Sequence, residues 1–347
     1  MHSQAAPIPG RRCHPHPLRF WRRRPRYRHH ARIDDTVCAG SHAGVCRRRR
    51  PVKVLVTGSS ACLARALLPQ LCADAAIERI TGVDRNPPHF AHPKFRALQA
   101  DFRDPQTAAL LPRHDALVHL AYVVLRGRMA ESAMHDINVG GSLRLLQAAR
   151  AAGLRRIVHL SSAAVYGSGV ALDEGAAYAP LADFRYGQHK AELERLLQEA
   201  VPACVRLRPH IILGPHAQPT LRQILRLPVF LLLADPQPDL QCVHENDVAA
   251  AILASLGRAA CGPYNLAATD TWTLRGIMRR RHPLSLPLPP TAARAGLALA
   301  HGVFGWGGEP GWLDGLRHTL TLDCGRAARE LGWRPAHSAE QTLAATR

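Results

Sequence analysis

The sequence contains no apolar run approaching the ~18 residues of a membrane-spanning helix, and its N-terminus has no apolar core of a secretory signal. Its nine cysteines (13, 38, 46, 62, 72, 204, 242, 261 and 324) show no paired spacing. That excludes a disulfide framework and points to free thiols in a reducing compartment. No internal repeat is visible. These absences lead to the expectation of a cytoplasmic protein. Aromatic residues make up only 5% of the chain, but 47% of it is apolar. With 347 residues it can bury a substantial core.

Acidic residues are scarce in one place. Residues 1–50 hold 13 Arg and only Asp34 and Asp35, giving +11 of the net +19. This Arg/His/Pro-rich stretch has neither helical nor alternating periodicity and cannot bury apolar surface, so a disordered extension is expected. A nucleic-acid-binding tail and an organelle-targeting peptide are alternative readings. The preferred one is an upstream stretch ahead of a protein that begins near Val52. Cys13, His14, His16, Cys38, His42 and Cys46 lack the pairing of a zinc site, and no metal is expected.

From Pro51 onward strands and helices alternate. Val52–Val56 is an apolar run of the kind that forms a parallel strand covered on both faces. Helical spacing follows through Leu63, Leu67, Leu68 and Leu71. Further strands are expected at 79–83, 95–99, 116–120, 157–160 and 205–207. Helices are expected at about 130–151 and 186–199. This rhythm predicts a doubly wound α/β sheet over residues 51–208. Residues 209–347 are expected to form mainly a smaller, irregular substrate-binding domain, with about 240–256 returning to the sheet.

Thr57 to Ala64 lies where the first strand turns into the first helix, the context of a dinucleotide fingerprint. There a pyrophosphate would rest on the backbone of Gly58, Ser59, Ser60, Ala61, Cys62 and Leu63 at the helix N-terminus. Glycines normally fill such a turn, yet Ala stands at 61 and 64, and an ordinary tight turn is the plain alternative. Asp84 ends the next strand, where a carboxylate accepts ribose hydroxyls and favours NAD. The adjacent Arg85 leaves NADP open.

Ser161-Ser162-Ala163-Ala164-Val165-Tyr166-Gly167 and Tyr186-Gly187-Gln188-His189-Lys190 carry the chemistry. Tyr186 and Lys190 lie four apart, on one helix face, where an ammonium favours a phenolate. Tyr186 would then act as general base or acid and Ser162 would hold the reacting oxygen. Ser161 reads as a strand-end serine satisfying backbone, Tyr166 as a wall of the cleft, and Asn138 as a structural residue bonding nearby backbone.

With His119-Leu120-Ala121, Asn138 to Ser142, Gly214-Pro215, Val243 to Ala249, Tyr264-Asn265-Leu266 and Glu330 to Pro335, these motifs make the chain resemble the extended short-chain dehydrogenase/reductases. That family includes nucleotide-sugar epimerases and dehydratases and 3β-hydroxysteroid dehydrogenases. The resemblance implies a Rossmann-type sheet, NAD as cofactor and a Ser162–Tyr186–Lys190 site. It implies that Lys190 also holds the nicotinamide ribose. It further implies cofactor contacts by Asp101 and Phe102 (Asp101 being alternatively a helix N-cap) and by Leu120 and Ala121. A homodimer through the two long helices is expected by resemblance alone. Ala163 and Ala164, next to Ser162, disfavour a dehydratase. The apolar Pro209-His210-Ile211-Ile212 favours an apolar alcohol or ketone as substrate, with a nucleotide sugar as the alternative. A non-catalytic nucleotide-binding scaffold is the reading from another class. No specific nucleic-acid partner is expected.

Overall fold

Apolar strands covered on both faces leave little choice but a sheet sandwiched between helices. The computed structural model describes residues 51–125, 127–304 and 311–346, with side chains of 300–304 excepted. The expected N-terminal extension lies outside these residues. Residues 49–347 form one compact unit.

The first half runs β1 (Val52–Thr57), α1 (Cys62–Ala73), β2 (Ile77–Asp84), β3 (Phe95–Gln99), α2 (Pro105–Ala108), β4 (Ala116–His119), α3 (Glu131–His135), α4 (Ser142–Ala151), β5 (Arg156–Leu160) and β6 (Gly169–Leu172). Then come α5 (Arg185–Ala200), β7 (Val205–Pro209), β8 (Ile211–Leu213), α6 (Pro219–Arg226), β9 (Val229–Leu231), β10 (Cys242–His244) and α7 (Glu245–Gly257). The chain closes with β11 (Gly262–Leu266), α8 (Leu274–Arg281), β12 (Leu286–Leu288), α9 (Pro290–Phe304), α10 (Gly311–Gly315), β13 (Leu320–Leu322) and α11 (Ala339–Ala345).

Seven strands form one sheet in the order β11-β7-β5-β4-β1-β2-β3, and every pairing in it is parallel. This is the expected Rossmann-type doubly wound sheet. The order in which strands are added reverses between β1 and β4, so a crevice opens beyond their C-terminal ends, where such sheets bind ligands. Leu63, Leu67, Leu68 and Leu71 of α1 are buried against one face, together with Val248, Ala251 and Ile252 of α7. Leu145, Leu146 and Ala149 of α4 and Leu193 and Leu197 of α5 cover the other.

Two expectations change in detail. The helix foreseen at 130–151 is divided by a stretch of wider i→i+5 turns over Asp136–Gly141, between α3 and α4. Residues 240–256 do not add a strand to the main sheet: β10 pairs with β8, and α7 packs on the sheet's face. The strand that returns is β11, hydrogen-bonded along β7. Among the described residues no helix is long and apolar enough to cross a membrane.

Candidate active site

The nucleotide turn is built from a glycine that cannot be replaced. Gly58 has φ +79°, and a Cβ there would stand 2.5 Å from the Ala121 nitrogen. The end of β1 therefore lies directly on the end of β4, where Leu120 N and Ala121 N both donate to Thr57 O. Ser59 is buried beneath the turn. Ala61 sits at the N-cap of α1 with extended backbone and no side-chain cap, which leaves first-turn N–H groups for an anion. Leu63 belongs to the core, while Cys62 remains partly exposed at the helix start.

Asp84 is at the end of β2 as expected. Its Oδ2 accepts from Ser60 N at 2.9 Å and its Oδ1 from Asn86 N at 2.8 Å, so the carboxylate is already aimed at the turn. Arg85 is exposed beside it. Asp101 caps no helix: the N-cap of α2 is Asp104. Instead Asp101 pairs with Arg103 (2.9 Å), and the guanidinium holds its carboxyl below the usual range. Phe102 turns inward, its ring 5.1 Å from that of His119. The turn and these neighbours converge at the C-terminal ends of β1 to β4. A positive-φ glycine cradle, uncapped helix N–H groups and a strand-end carboxylate fit a dinucleotide, Ala61 notwithstanding.

The second cluster lies at the end of β5. Ser162 opens a short 3₁₀ turn, its Oγ accepting from Ala164 N at 3.1 Å. Gly167 ends this motif with φ +75°, and a Cβ there would run into Ala179 O. Tyr186 and Lys190 project from one face of α5, as their spacing requires. Lys190 is 2% exposed, so it is not a solvated helix residue. Its Nζ donates to Leu160 O at 2.6 Å and lies 5.8 Å from the Tyr186 ring centre.

The expected lowering of the Tyr186 pKa is not what the geometry gives. Burial pushes the phenol up, with the nearby Ser162 hydroxyl opposing. Burial also pulls the Lys190 ammonium well below the usual lysine range. Desolvation acts on both groups, and the ammonium is turned toward another ring, that of Tyr122.

Apart from Trp312, which ends the apolar stretch 292–312 read as suiting a pocket or packing as a lid, several residues of this region were not foreseen. Tyr122, Phe184 and Trp312 surround Tyr186, with ring centres 5.5, 5.6 and 5.3 Å away. Behind them Glu194, fully buried, accepts from Ser161 Oγ, Tyr178 Oη and Arg208, and stands 3.3 Å from Arg206 Nε. Ser161 thus serves Glu194 rather than backbone. Tyr166 is a buried link rather than a wall, accepting from Arg208 Nη1 at 2.6 Å and donating to Asn265 Oδ1 at 2.8 Å. Asn138 does bond neighbouring backbone, gripping both N and O of Val123. Only Glu194 left a readable signal, four residues beyond Lys190 on the same face. Among the described residues no cluster of metal-binding side chains is present.

One consequence concerns stability. Glu194→Gln leaves two buried guanidinium groups, Arg206 and Arg208, without their carboxylate. Breaking such a pair costs about 3–5 kcal/mol. Urea unfolding should show a correspondingly lower midpoint, and an unchanged midpoint would show that the network contributes little.

The sequence profile of the NAD dependent epimerase/dehydratase family matches residues 54–267. An uncharacterised protein, y4nG, of Sinorhizobium fredii is 27% identical over 323 residues, 87% of this chain and 79% of its own. Among solved structures, MoeE5 in complex with UDP-glucose and NAD superimposes with a TM-score of 0.68 at 20% identity, covering 85% of this chain and 97% of that one. The UDP-glucose 4-epimerase of Thermotoga maritima, with UDP-glucose, gives a TM-score of 0.66 at 18% identity, covering 85% and 97%.

Proposed function

The chain belongs to the NAD dependent epimerase/dehydratase family, and from that premise we propose that it is an NAD-dependent oxidoreductase acting on a secondary alcohol or carbonyl through Ser162, Tyr186 and Lys190. The observation that carries this reading is the buried Lys190 on the face of α5 that carries Tyr186, its Nζ on Leu160 O at 2.6 Å and 5.8 Å from the Tyr186 ring centre. Bound NAD would supply the hydride acceptor. The turn at 58–63 would hold its pyrophosphate, Asp84 its adenosine ribose and Lys190 its nicotinamide ribose.

Tyr186 Oη takes the proton of the alcohol as it is oxidised, or returns it to a carbonyl as it is reduced. Ser162 Oγ holds the reacting oxygen while charge develops there. Lys190, its Nζ 5.8 Å from the Tyr186 ring centre, stands where it can hold the cofactor ribose beside the phenol. Tyr122, Phe184 and Trp312 exclude water and offer apolar faces to a ring-shaped substrate.

A second reading is a nucleotide-sugar 4-epimerase, in which hydride is returned to the same carbon. It is favoured by neighbours that carry UDP-glucose. A panel of hydroxysteroids and cyclic secondary alcohols, run with NAD against UDP- and dTDP-hexoses, separates the two. Net NADH accumulation with the alcohols is expected. Sugar isomers formed without net NADH, and no turnover of the alcohols, would overturn net oxidation in favour of epimerisation.

A further inference from the structure

Tyr122 stands between the two halves of the site on a backbone that has little freedom. On one side Ala121 N donates to Thr57 O at 3.1 Å. On the other, Val123 is held by Asn138, N to Oδ1 at 2.8 Å and Nδ2 to O at 2.9 Å. From this fixed support the ring reaches Lys190, whose Nζ lies 3.4 Å from the ring centre. The same ring meets Tyr186 edge-on, with 82° between their planes. Its Oη is buried and has no hydrogen-bond partner among the described residues.

The surroundings of Lys190 show why this contact matters. Its own helix supplies Tyr186 and Glu194. The sheet presents His119 from β4, His159 from β5 and the Leu160 carbonyl. Glu194 is the one anion in this set, and its oxygens already serve Ser161, Tyr178 and Arg208, with Arg206 close by. The histidines are buried, and no charge on them helps an ammonium. An aromatic face is therefore the main remaining group that favours the cation, and a desolvated site is where such a contact is strongest.

We propose that Tyr122 is a positioning residue of the reaction centre, its ring serving as second partner of the Lys190 ammonium and aiming it, with Leu160 O, toward the Tyr186 side. Of the three N–H bonds of the ammonium, one is committed to Leu160 O and one faces the ring. The third is left for a ligand hydroxyl or for the reacting phenol. Without the ring, Lys190 gives up its proton at lower pH, since burial already disfavours the charged form. The inference rests on the reading that Lys190 serves the bound cofactor.

The test is fluorescence titration of the full chain with NADH between pH 6 and pH 10, with no turnover needed. Wild type, Tyr122→Leu, Tyr122→Phe and Lys190→Met are compared. Wild-type affinity should fall as pH rises through the titration of Lys190. Tyr122→Leu should move this midpoint down by about one pH unit or more. Tyr122→Phe, which keeps the ring, should retain the midpoint, with any loss of affinity uniform in pH. Lys190→Met should abolish the basic limb. A wild-type midpoint in Tyr122→Leu would overturn the role of Tyr122, and Lys190 would keep its place if Lys190→Met still removed the limb. A limb that persists in Lys190→Met would overturn both. Should Tyr122→Leu fail to fold, Tyr122→Met is read against Tyr122→Phe in the same way.

Discussion

Tyr186→Phe should lower turnover by roughly 10²- to 10⁴-fold, the range associated with a positioned general acid–base group, while leaving NADH affinity nearly intact. The substitution removes one oxygen and keeps the ring that packs among Tyr122, Phe184 and Trp312, so the pocket should keep its shape. The sign of the Tyr186 shift adds a check. Burial raises the phenol above its usual pKa, so the phenolate required for oxidation becomes more abundant as pH rises. Oxidation by the wild type should therefore accelerate from pH 7 toward pH 9.5, and carbonyl reduction should be favoured below that range. Steady-state rates with each variant, beside NADH titrations, measure both effects. Turnover unaffected by Tyr186→Phe would remove Tyr186 from the chemistry.

Mild acid should unfold the protein, and buried histidines are the cause. His119 is fully buried, with Nδ1 on Thr57 Oγ1 at 2.6 Å and Nε2 on Ser142 Oγ at 2.9 Å, and burial with the nearby Lys190 lowers its pKa to about 3. His210 bonds Leu320 O and Ile211 N and falls to about 4. His159 is buried with neither ring nitrogen partnered among the described residues, and it is lowered well below the usual range. In the unfolded chain all three titrate near 6.5. As pH falls below that value the unfolded chain binds protons that the folded one refuses. Stability is then lost, until the folded pKa values are passed. Each histidine contributes about 1.4 kcal/mol per pH unit in that window. Between pH 7 and pH 5 the three together remove about 6 kcal/mol, comparable with the whole net stability of a domain. Thermal melts at pH 8, 7, 6 and 5 should show a steep fall in Tm below pH 6.5. His159→Leu should make it shallower, since it removes one titrating ring without orphaning a partner. A Tm flat from pH 7.5 to pH 5 would refute this origin.

How much of this was legible in the sequence depended on distance along the chain. Val52–Val56 and 116–120 declared themselves as strands because both their faces are buried, which produces an apolar run. Tyr186 and Lys190 were legible because helix geometry alone puts them on one face. The three-residue strands β8, β9, β10, β12 and β13 left no readable period, and so the pairing of 242–244 with 211–213 could not be foreseen. The wider turns at 136–141 look like ordinary helix in sequence.

The polar core was hidden for a different reason. Nothing in the spacing pairs Arg206 and Arg208 with Glu194 until the fold brings a helix carboxylate onto strand guanidinium groups. Trp312 lies in a stretch without regular pattern, yet it supplies a wall of the Tyr186 pocket. The direction of the Tyr186 shift could not be read from spacing, because it depends on burial and on which ring the Lys190 ammonium faces.

The most direct test of the account is calorimetric titration of the nucleotide-stripped full chain with NAD, NADH, NADP and NADPH. The Gly58 turn and the Asp84 carboxylate predict binding of NAD and NADH on the order of micromolar, with the 2′-phosphorylated pair much weaker. Absence of binding by all four would mean that Ala61 closes the phosphate path, and the proposed hydride chemistry would fall with it.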